Sequence, residues 1–279
     1  MSLNPRSVYI IAKKEFADNV RSRWIVALIA IFLTLTIASA FMAGGGSVGE
    51  MDLTVGVLMT ISSMLVPIIA IMLGYATISG EAESGALSVV LACPVRRIEV
   101  LFGKFLGLGS VICFSILVGF GVSGMIIAGT TGHAQWGGYV AFILLTMLLG
   151  LLYVSLSMCF SALLKRRVTS LGAGVVIFFL GMIIAMVLMG LYMSTGGSMN
   201  DLISGDTSDF PDWFWFSVFL SPMDGNQMAA MLAFGQTEFM GFVFEVPQWI
   251  NLYSLAFAQL LWTIIPLLLA CWWFQKRDV

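Results

Sequence analysis

Charged residues are scarce in this chain, and basic residues are missing from long stretches of it. Of its 279 residues, 10% are charged and 59% are hydrophobic, whereas about a quarter of the residues are charged in typical soluble domains. This composition excludes a soluble globular protein. The basic residues occur in only four clusters, which lie at 6–23, 96–104, 165–167 and 276–277. The net charge of −2 gives no indication of nucleic-acid binding.

Motifs for catalysis and for ion coupling are also absent. No G-x-x-x-x-G-K-[ST] phosphate loop occurs, so we do not expect this chain to bind and hydrolyse ATP by itself. The only histidine, His133, has no HExxH-like context. The four cysteines are too widely spaced for a zinc site, and none is expected on an oxidising outer face. We therefore expect a protein that is not an enzyme and whose energy comes from elsewhere.

Six long apolar runs predict transmembrane helices, because about 20 apolar residues cross a bilayer as a helix. The predicted spans are 24–43, 54–80, 105–130, 138–164, 168–194 and 251–275. None contains Asp, Glu, Lys, Arg or His, which ion-coupled transporters usually place in the membrane. The basic clusters lie at the span ends that should face the cytoplasm, so both termini are expected there. We predict an all-α, multi-pass protein of the cell membrane, with 1–279 as a single transmembrane domain.

Residues 4–23 predict an amphipathic helix on the cytoplasmic surface, which we call the elbow helix. Asn4 can cap a helix and Pro5 favours its first position. Apolar side chains then recur every four residues, at Val8, Ala12, Phe16, Val20 and Trp24. Such a helix binds the lipid bilayer through apolar burial and through attraction to anionic lipid.

Segment 81–104, between the second and third predicted spans, predicts a cytoplasmic protrusion. Its charged and helix-breaking residues include Glu81, Glu83, Pro94, Arg96 and Arg97. The two carboxylates suit a helix start, and the proline ends that helix. A second short helix, 98–104, is expected to lead into the third span. A protrusion of this kind can dock into a groove on a soluble partner and transmit its movement.

The outer segment 195–250 predicts broken helices before the last span. Its first part, 195–212, is polar and acidic, which suits an extracytoplasmic protein partner. Residues 213–220 and 228–234 are apolar but too short to cross a bilayer, and 221–227 is a polar interruption between them. Broken backbone at membrane depth is tolerated only against protein or a cavity. We therefore expect this segment to pack over the external end of the helix bundle.

The order of these features resembles the permease subunits of ABC exporters of the second type, the ABC-2 family. In that family an acidic-x-acidic-x-Gly segment, a Pro-x-x-Arg and a Gly-Lys lead into the third span. Here these are Glu81-Ala82-Glu83-Ser84-Gly85, Pro94-Val95-Arg96-Arg97 and Gly103-Lys104. Two further segments are most similar to the NosY-like permeases, namely Gly103-Lys104-Phe105-Leu106-Gly107 and Leu220-Ser221-Pro222-Met223-Asp224. The resemblance covers essentially the whole chain.

The resemblance implies that two copies of this subunit pair, each on a cytoplasmic ATPase subunit that holds ATP and Mg. No cofactor is implied in this chain itself. Segment 81–94 would be the coupling helix, and closure of the ATPases would move it together with the first, second and fifth spans. The residues expected to carry this coupling are Glu81, Glu83, Gly85, Pro94, Arg96 and Arg97. The last two could instead serve only as topology signals.

Two alternatives remain open for the function, and neither is decided by the residues. Thioether ligands suit Cu(I), and four methionines recur at helical spacing on the fifth predicted span, Met182, Met186, Met189 and Met193. An exporter of copper or sulfur species of the NosY type is therefore one alternative, although a methionine stripe more often marks helix packing. The other is a membrane scaffold that recruits an ATPase and an outer partner without transport. The sequence does not indicate substrate-binding residues.

Overall fold

Twelve helices and one short β ribbon make up the parts of the chain that the computed structural model describes, residues 4–43, 51–131, 136–197, 211–235, 238–239, 242–243 and 246–277. The helices are α1 Pro5–Val20, α2 Arg23–Ala43, α3 Met51–Gly74, α4 Ser79–Glu83, α5 Ala86–Ala92, α6 Arg97–Thr131, α7 Trp136–Leu163, α8 Arg167–Ser194, α9 Asp212–Trp215, α10 Ser217–Leu220, α11 Pro222–Phe234 and α12 Leu252–Lys276. Strands β1 Glu238–Phe239 and β2 Phe242–Val243 pair antiparallel. His133 and most of the acidic outer stretch, 198–210, lie outside the described residues.

Five helical stretches within the described residues are long and apolar enough to cross a membrane, as the sequence predicts. They are Gly56–Glu83, Arg97–Ile126, Trp136–Leu163, Arg167–Ser194 and Leu252–Lys276. The predicted first span coincides with α2, a helix of 21 residues, within which Ile29–Ala38 is a shorter apolar stretch. The all-helical prediction is therefore confirmed with five candidate spans. The β ribbon is a small addition that the sequence did not indicate.

Helix α7 lies at the centre of the bundle. It packs against α3, α6, α8, α11 and α12, and more than half of its 28 residues are buried. Serine hydroxyls on this helix reach backbone carbonyls of its neighbours, with Ser157 donating to Ile71 at 3.0 Å and Ser155 donating to Thr263 at 2.6 Å. Interhelical hydrogen bonds of this kind fix the register of helices that have little hydrophobic driving force to associate in lipid.

The elbow helix α1 lies along the first turns of α6, and two glycines allow the close approach. A Cβ on Gly103 would stand 2.7 Å from the Cβ of Ile11, and one on Gly107 would stand 2.7 Å from the carbonyl oxygen of Ala12. These distances are shorter than real Cβ contacts, so only glycine fits there. The start of α1 follows the prediction, because the Asn4 side chain accepts a hydrogen bond from the Arg6 N–H and proline occupies the first turn.

The protrusion between the second and third predicted spans differs from the prediction in two ways. The first helix does not run unbroken towards Pro94, because Gly85 adopts a left-handed φ of 77° and separates α4 from α5. Residues 98–104 are not a separate helix, since they form the first turns of the 35-residue α6. Lys104 therefore does not protrude, and only 3% of its side chain is exposed.

The outer segment is broken, as predicted, but the break lies earlier than the sequence suggested. The polar stretch 221–227 is not an interruption, because it forms the first turns of α11. Ser221 is the N-cap, and its side chain accepts a hydrogen bond from the Asp224 N–H at 3.3 Å while Pro222 occupies the first helical position. A capping serine followed by proline is a helix start. Helix α11 packs on α7 and α12.

Candidate functional site: the α4–α5 element and its contacts

Helix α4 is held against the bundle by a serine of α7. The Ser161 hydroxyl oxygen accepts hydrogen bonds from the backbone N–H groups of Ile78 and Ser79, both at 2.9 Å. It also lies 3.1 Å from the Ser79 hydroxyl. These N–H groups belong to the N-terminal turn of α4, where no backbone acceptor exists within the helix. A side chain of the central helix therefore caps the element that is predicted to couple to the ATPase.

A buried cation joins α4 to two other helices. The ammonium of Lys104 on α6 lies 2.6 Å from a carboxylate oxygen of Glu15 on α1 and 2.7 Å from one of Glu81 on α4. The side chains of Lys104, Glu15 and Glu81 are 3%, 13% and 24% exposed. We call these three residues the charged triad. Buried charges are stable only when they are paired and hydrogen-bonded, so the triad fixes the relative positions of α1, α4 and α6.

A cavity of about 570 Å³ lies beside the charged triad. Its lining includes all three triad residues together with Asn19, Tyr75 and Thr77. The second carboxylate oxygen of Glu81 is buried and has no hydrogen-bond partner among the residues that the structure describes. Glu81 therefore faces the bundle interior, whereas the sequence placed it on a docking surface.

The outward side of the element consists of the end of α4, the Gly85 turn and α5. Glu83 is exposed and approaches α8. Its carboxylate accepts a hydrogen bond from the backbone N–H of Arg167 at 3.2 Å and lies 3.9 Å from the Arg167 guanidinium. On α5, Leu87 is fully buried, whereas Val89 is 70% exposed. Cys93 and Pro94 after α5 are also exposed. Among the described side chains, this outward side presents one acidic group, Glu83, and an exposed valine, Val89.

Arg97, a predicted coupling residue, lies at the end of the last helix. Its guanidinium donates hydrogen bonds to the carbonyl oxygens of Phe274, Gln275 and Arg277, at 2.9, 3.1 and 2.5 Å. The last carbonyls of a helix have no partner within it, so Arg97 satisfies the C-terminus of α12. Arg96 is half-buried at the start of α6. These two residues are not brought together with Glu81 and Glu83.

The four methionines lie on α8, which has the smallest buried share of the five candidate spans. Met182, Met186 and Met193 on α8 are 41%, 74% and 38% exposed, and Met189 is half-buried. Within the described part of the chain, no group of three or more His, Cys, Asp or Glu residues is placed to hold a metal ion. The stripe therefore faces away from the interior of a single copy, towards lipid or towards another chain.

Comparison with known proteins decides the family. The sequence model described as ABC-2 family transporter protein matches residues 9–279. This chain belongs to the ABC-2 family. Two relatives are each named "Probable ABC transporter permease protein NosY". The protein from Stutzerimonas stutzeri is 27% identical over 285 residues, which cover 97% of this chain and 98% of the relative. The protein from Pseudomonas aeruginosa is 27% identical over 284 residues, with 98% and 99% covered.

The family membership confirms that this chain is a multi-pass ABC transporter permease and not itself an enzyme. The structure of this permease adds three residues to the predicted site, Glu15, Lys104 and Ser161. The sequence analysis did not identify them as site residues. A signal was available for Lys104. It follows Leu101 by three residues and precedes Leu108 by four, so it lies on the same face of a helix as two side chains that are fully or almost fully buried. A lysine on a buried face requires carboxylate partners.

Proposed function

We propose that this permease couples ATP hydrolysis by a separate cytoplasmic ATPase subunit to the movement of a substrate across the membrane. The α4–α5 element would dock on the ATPase through its outward side, with Glu83, Gly85, Val89 and Pro94 on the docking surface. The observation that carries the proposal is the contact pattern of α4. This short helix is bonded directly to α6, α7 and α8, and Lys104 of α6 links it to Glu15 of α1.

These contacts give a physical path for the movement. A displacement of α4 is transmitted to α6 and α1 through the ammonium of Lys104, to α7 through the Ser161 hydroxyl and to α8 through the Glu83–Arg167 contact. The triad contacts are short and well buried, so they are stiff compared with an exposed ion pair. In this proposal Glu81 transmits movement inside the bundle and does not contact the ATPase.

Arg97 has a second part in the same mechanism. It begins α6, the helix that carries Lys104, and it also holds the C-terminus of α12. Arg277, which follows α12, in turn donates to the carbonyl oxygens of Ser161 and Ala162 at 2.9 and 3.1 Å. The cytoplasmic ends of α6, α7 and α12 are therefore linked, and we expect them to move as one body beneath the membrane.

The proposed topology has six spans, with α2 as the first, α1 on the cytoplasmic surface and both termini in the cytoplasm. All thirteen basic residues then lie on one side, which agrees with the retention of cationic side chains in the cytoplasm. A second copy of the permease would cover the outward face of α8. Of the 28 residues of that helix, only Ser170, Gly174, Phe178, Gly181 and Tyr192 are buried.

The docking surface can be tested by co-purification with the partner ATPase subunit. Val89→Glu places a charge at the centre of the proposed surface, and we expect it to remove the ATPase from the complex. Val20→Glu is the matched control, because Val20 at the end of α1 is 44% exposed and lies outside both the docking surface and the outward face of α8. ATPase binding that survives Val89→Glu would contradict the proposed site, and loss of binding with Val20→Glu alone would place the docking surface elsewhere.

The transport step requires a vesicle assay with the purified permease–ATPase complex. We expect ATP-dependent movement of one of the candidate substrates, which are lipids, drugs, sulfur species and Cu(I). The double variant Glu81→Gln, Glu15→Gln removes both acidic members of the charged triad. We expect this variant to hydrolyse ATP without moving the substrate. ATP turnover without movement of any candidate in the unmodified complex would favour the scaffold function instead.

A further inference from the structure

A groove lies along the outer side of the contact between α1 and α6. The two helices run parallel, because the Asn4 N–H donates a hydrogen bond to the Glu99 carboxylate at 2.8 Å and, eight residues later in both helices, Ala12 stands against Gly107. The groove has a volume of about 710 Å³, and we call it the α1–α6 groove. Its apolar walls are formed by Val8, Tyr9, Ala12 and Phe16 on α1 and by Phe102 and Leu106 on α6.

The groove changes how the apolar line of the elbow helix is used. The sequence predicted that Val8, Ala12 and Phe16 bury themselves in the bilayer surface, yet these side chains are half-buried where α1 packs on α6. From Val8 to Phe16 the wall on α1 is about 12 Å long. A slot between two parallel helices is filled by an extended chain, whereas a flat bilayer surface would leave it empty.

The groove lies in the cytoplasmic leaflet of the proposed topology. At the cytoplasmic end of α12 the Lys276 ammonium lies 3.8 Å from the centre of the Trp272 ring, and tryptophans and lysines at span ends mark the headgroup level. Arg97, at the start of α6, donates to the carbonyl oxygen of Phe274 on the same turns of α12. Helix α6 therefore begins near the headgroups, and Phe102 stands about 7.5 Å further along its axis.

The far end of the groove is continuous with a surface that faces lipid. The rings of Phe16 and Phe114 meet there edge to face, with centroids 6.4 Å apart. Beyond them α6 exposes Leu117 and Val118. In a bilayer such side chains are in contact with acyl chains, which are as apolar as leucine. A chain in the groove therefore stays joined to its own leaflet.

Two basic side chains stand beside the groove. Lys13 is the only charged residue among the described residues that line it. Arg6 is exposed and lies seven residues earlier, on the same side of α1. Neither forms an ion pair within the described part of the chain. Because the side chains of a helix lean towards its N-terminus, which is here the cytoplasmic end, both cations can reach a headgroup phosphate.

We propose that the α1–α6 groove binds one anionic phospholipid of the cytoplasmic leaflet, with an acyl chain between the two helices and the phosphate held by Arg6 and Lys13. The bound chain strengthens the same helix contact that the charged triad holds from the other side. The proposal rests on the proposed cytoplasmic placement of α1 and does not involve the ATPase. Its failure would therefore leave the docking of the α4–α5 element unaffected.

Native mass spectrometry of the full-length permease, released from detergent micelles, counts the lipids that stay bound during a titration. The probes are phosphatidylglycerol and phosphatidylcholine with the same palmitoyl and oleoyl chains. We expect one phosphatidylglycerol per permease to bind at a concentration at least tenfold lower than phosphatidylcholine. Equal binding of the two lipids would overturn the recognition of the headgroup charge.

The basic residues are tested by Arg6→Gln and Lys13→Gln. Each should weaken the binding of phosphatidylglycerol about fivefold, since a basic residue near an anionic headgroup contributes about 1 kcal/mol. Lys14→Gln is the matched control, because Lys14 is equally a lysine exposed on α1 but does not line the groove. An effect of Lys14→Gln as large as that of Lys13→Gln would show a general attraction to surface charge and overturn the site.

The groove itself is tested by Leu106→Trp, which places a larger side chain between the two helices. We expect it to remove the tightly bound phosphatidylglycerol, whereas Leu117→Trp should keep it. The two leucines are 51% and 52% exposed on the same helix, so both substitutions should be tolerated. A tight site that survives Leu106→Trp would place the lipid elsewhere. Conversion of a dimer into a monomer by Leu106→Trp, seen in the same spectra, would show that a second copy occupies the groove and would also overturn the proposal.

Discussion

Replacement of Lys104 by methionine perturbs the charged triad most directly. Methionine keeps an unbranched side chain, one heavy atom shorter than that of lysine, and removes its charge, so Glu15 and Glu81 lose their shared partner. The two carboxylate oxygens that now contact the ammonium at 2.6 and 2.7 Å must lie within roughly 5 Å of each other, and at an effective dielectric constant of about 20 their repulsion is about 3 kcal/mol. Removal of one partner from a buried ion pair typically costs about 3–5 kcal/mol.

The exposure of the carboxylates decides where in this range the effect falls. Glu81 is 24% exposed and Glu15 is 13% exposed, so water at the neighbouring cavity will screen part of the repulsion. We therefore expect Lys104→Met to lower the free energy of unfolding by about 3 kcal/mol.

Unfolding by sodium dodecyl sulfate in mixed micelles, followed by far-ultraviolet circular dichroism, measures this difference. The matched control combines Lys104→Met with Glu15→Gln and Glu81→Gln, which removes all three charges and should restore most of the lost stability. If Lys104→Met unfolds within about 1 kcal/mol of the unmodified protein, as for an exposed ion pair, the triad is not a stiff link and the proposed path to α1 and α6 is wrong.

Three other changes test separate contacts. Gly107→Ala should destabilise the protein by about 1–3 kcal/mol through overpacking against Ala12, whereas Gly121→Ala on the same helix meets no atom within 4 Å and should not, as chemical unfolding will show. Because the pKa of Asp224 is raised from 3.8 to about 6, the free energy of unfolding should fall by roughly 2 kcal/mol as the pH rises from 4 to 7, and Asp224→Asn should abolish that slope. Met186→Cys should form a disulfide-linked dimer under oxidation if the outward face of α8 meets a second copy, and a monomer that never cross-links would contradict that contact.

The spans could be predicted because a continuous apolar run of about 20 residues has few stable structures other than a membrane helix. The start of α1 could be predicted equally well, because Asn4 and Pro5 favour a helix start through contacts within a single turn. The sequence contains the two glycines, Gly103 and Gly107, at which another helix can approach closely. It did not show that the approaching helix is α1, because the glycines describe only one of the two surfaces.

The contacts of the α4–α5 element could not be read in the same way. Glu81 and Lys104 are 23 residues apart, and Arg97 is 177 residues from the carbonyl of Phe274 that it caps. Such pairs depend on how the helices pack, which local patterns do not specify. The break at Gly85 was missed for a different reason. A glycine tolerates both helical and left-handed backbone, and the sequence alone does not decide between them.

The docking of α4–α5 on an ATPase is the central claim, and the native Cys93 offers a direct measurement of it. Cys93 is exposed beside α5, whereas Cys113, Cys159 and Cys271 are half-buried or buried. A charged maleimide that does not cross membranes should label Cys93 in inside-out vesicles but not in intact spheroplasts, with Cys93→Ser as the control. Addition of the ATPase should protect Cys93, and Val89→Glu should abolish that protection. Labelling from outside the cell, or labelling that the bound ATPase does not slow, would contradict the account.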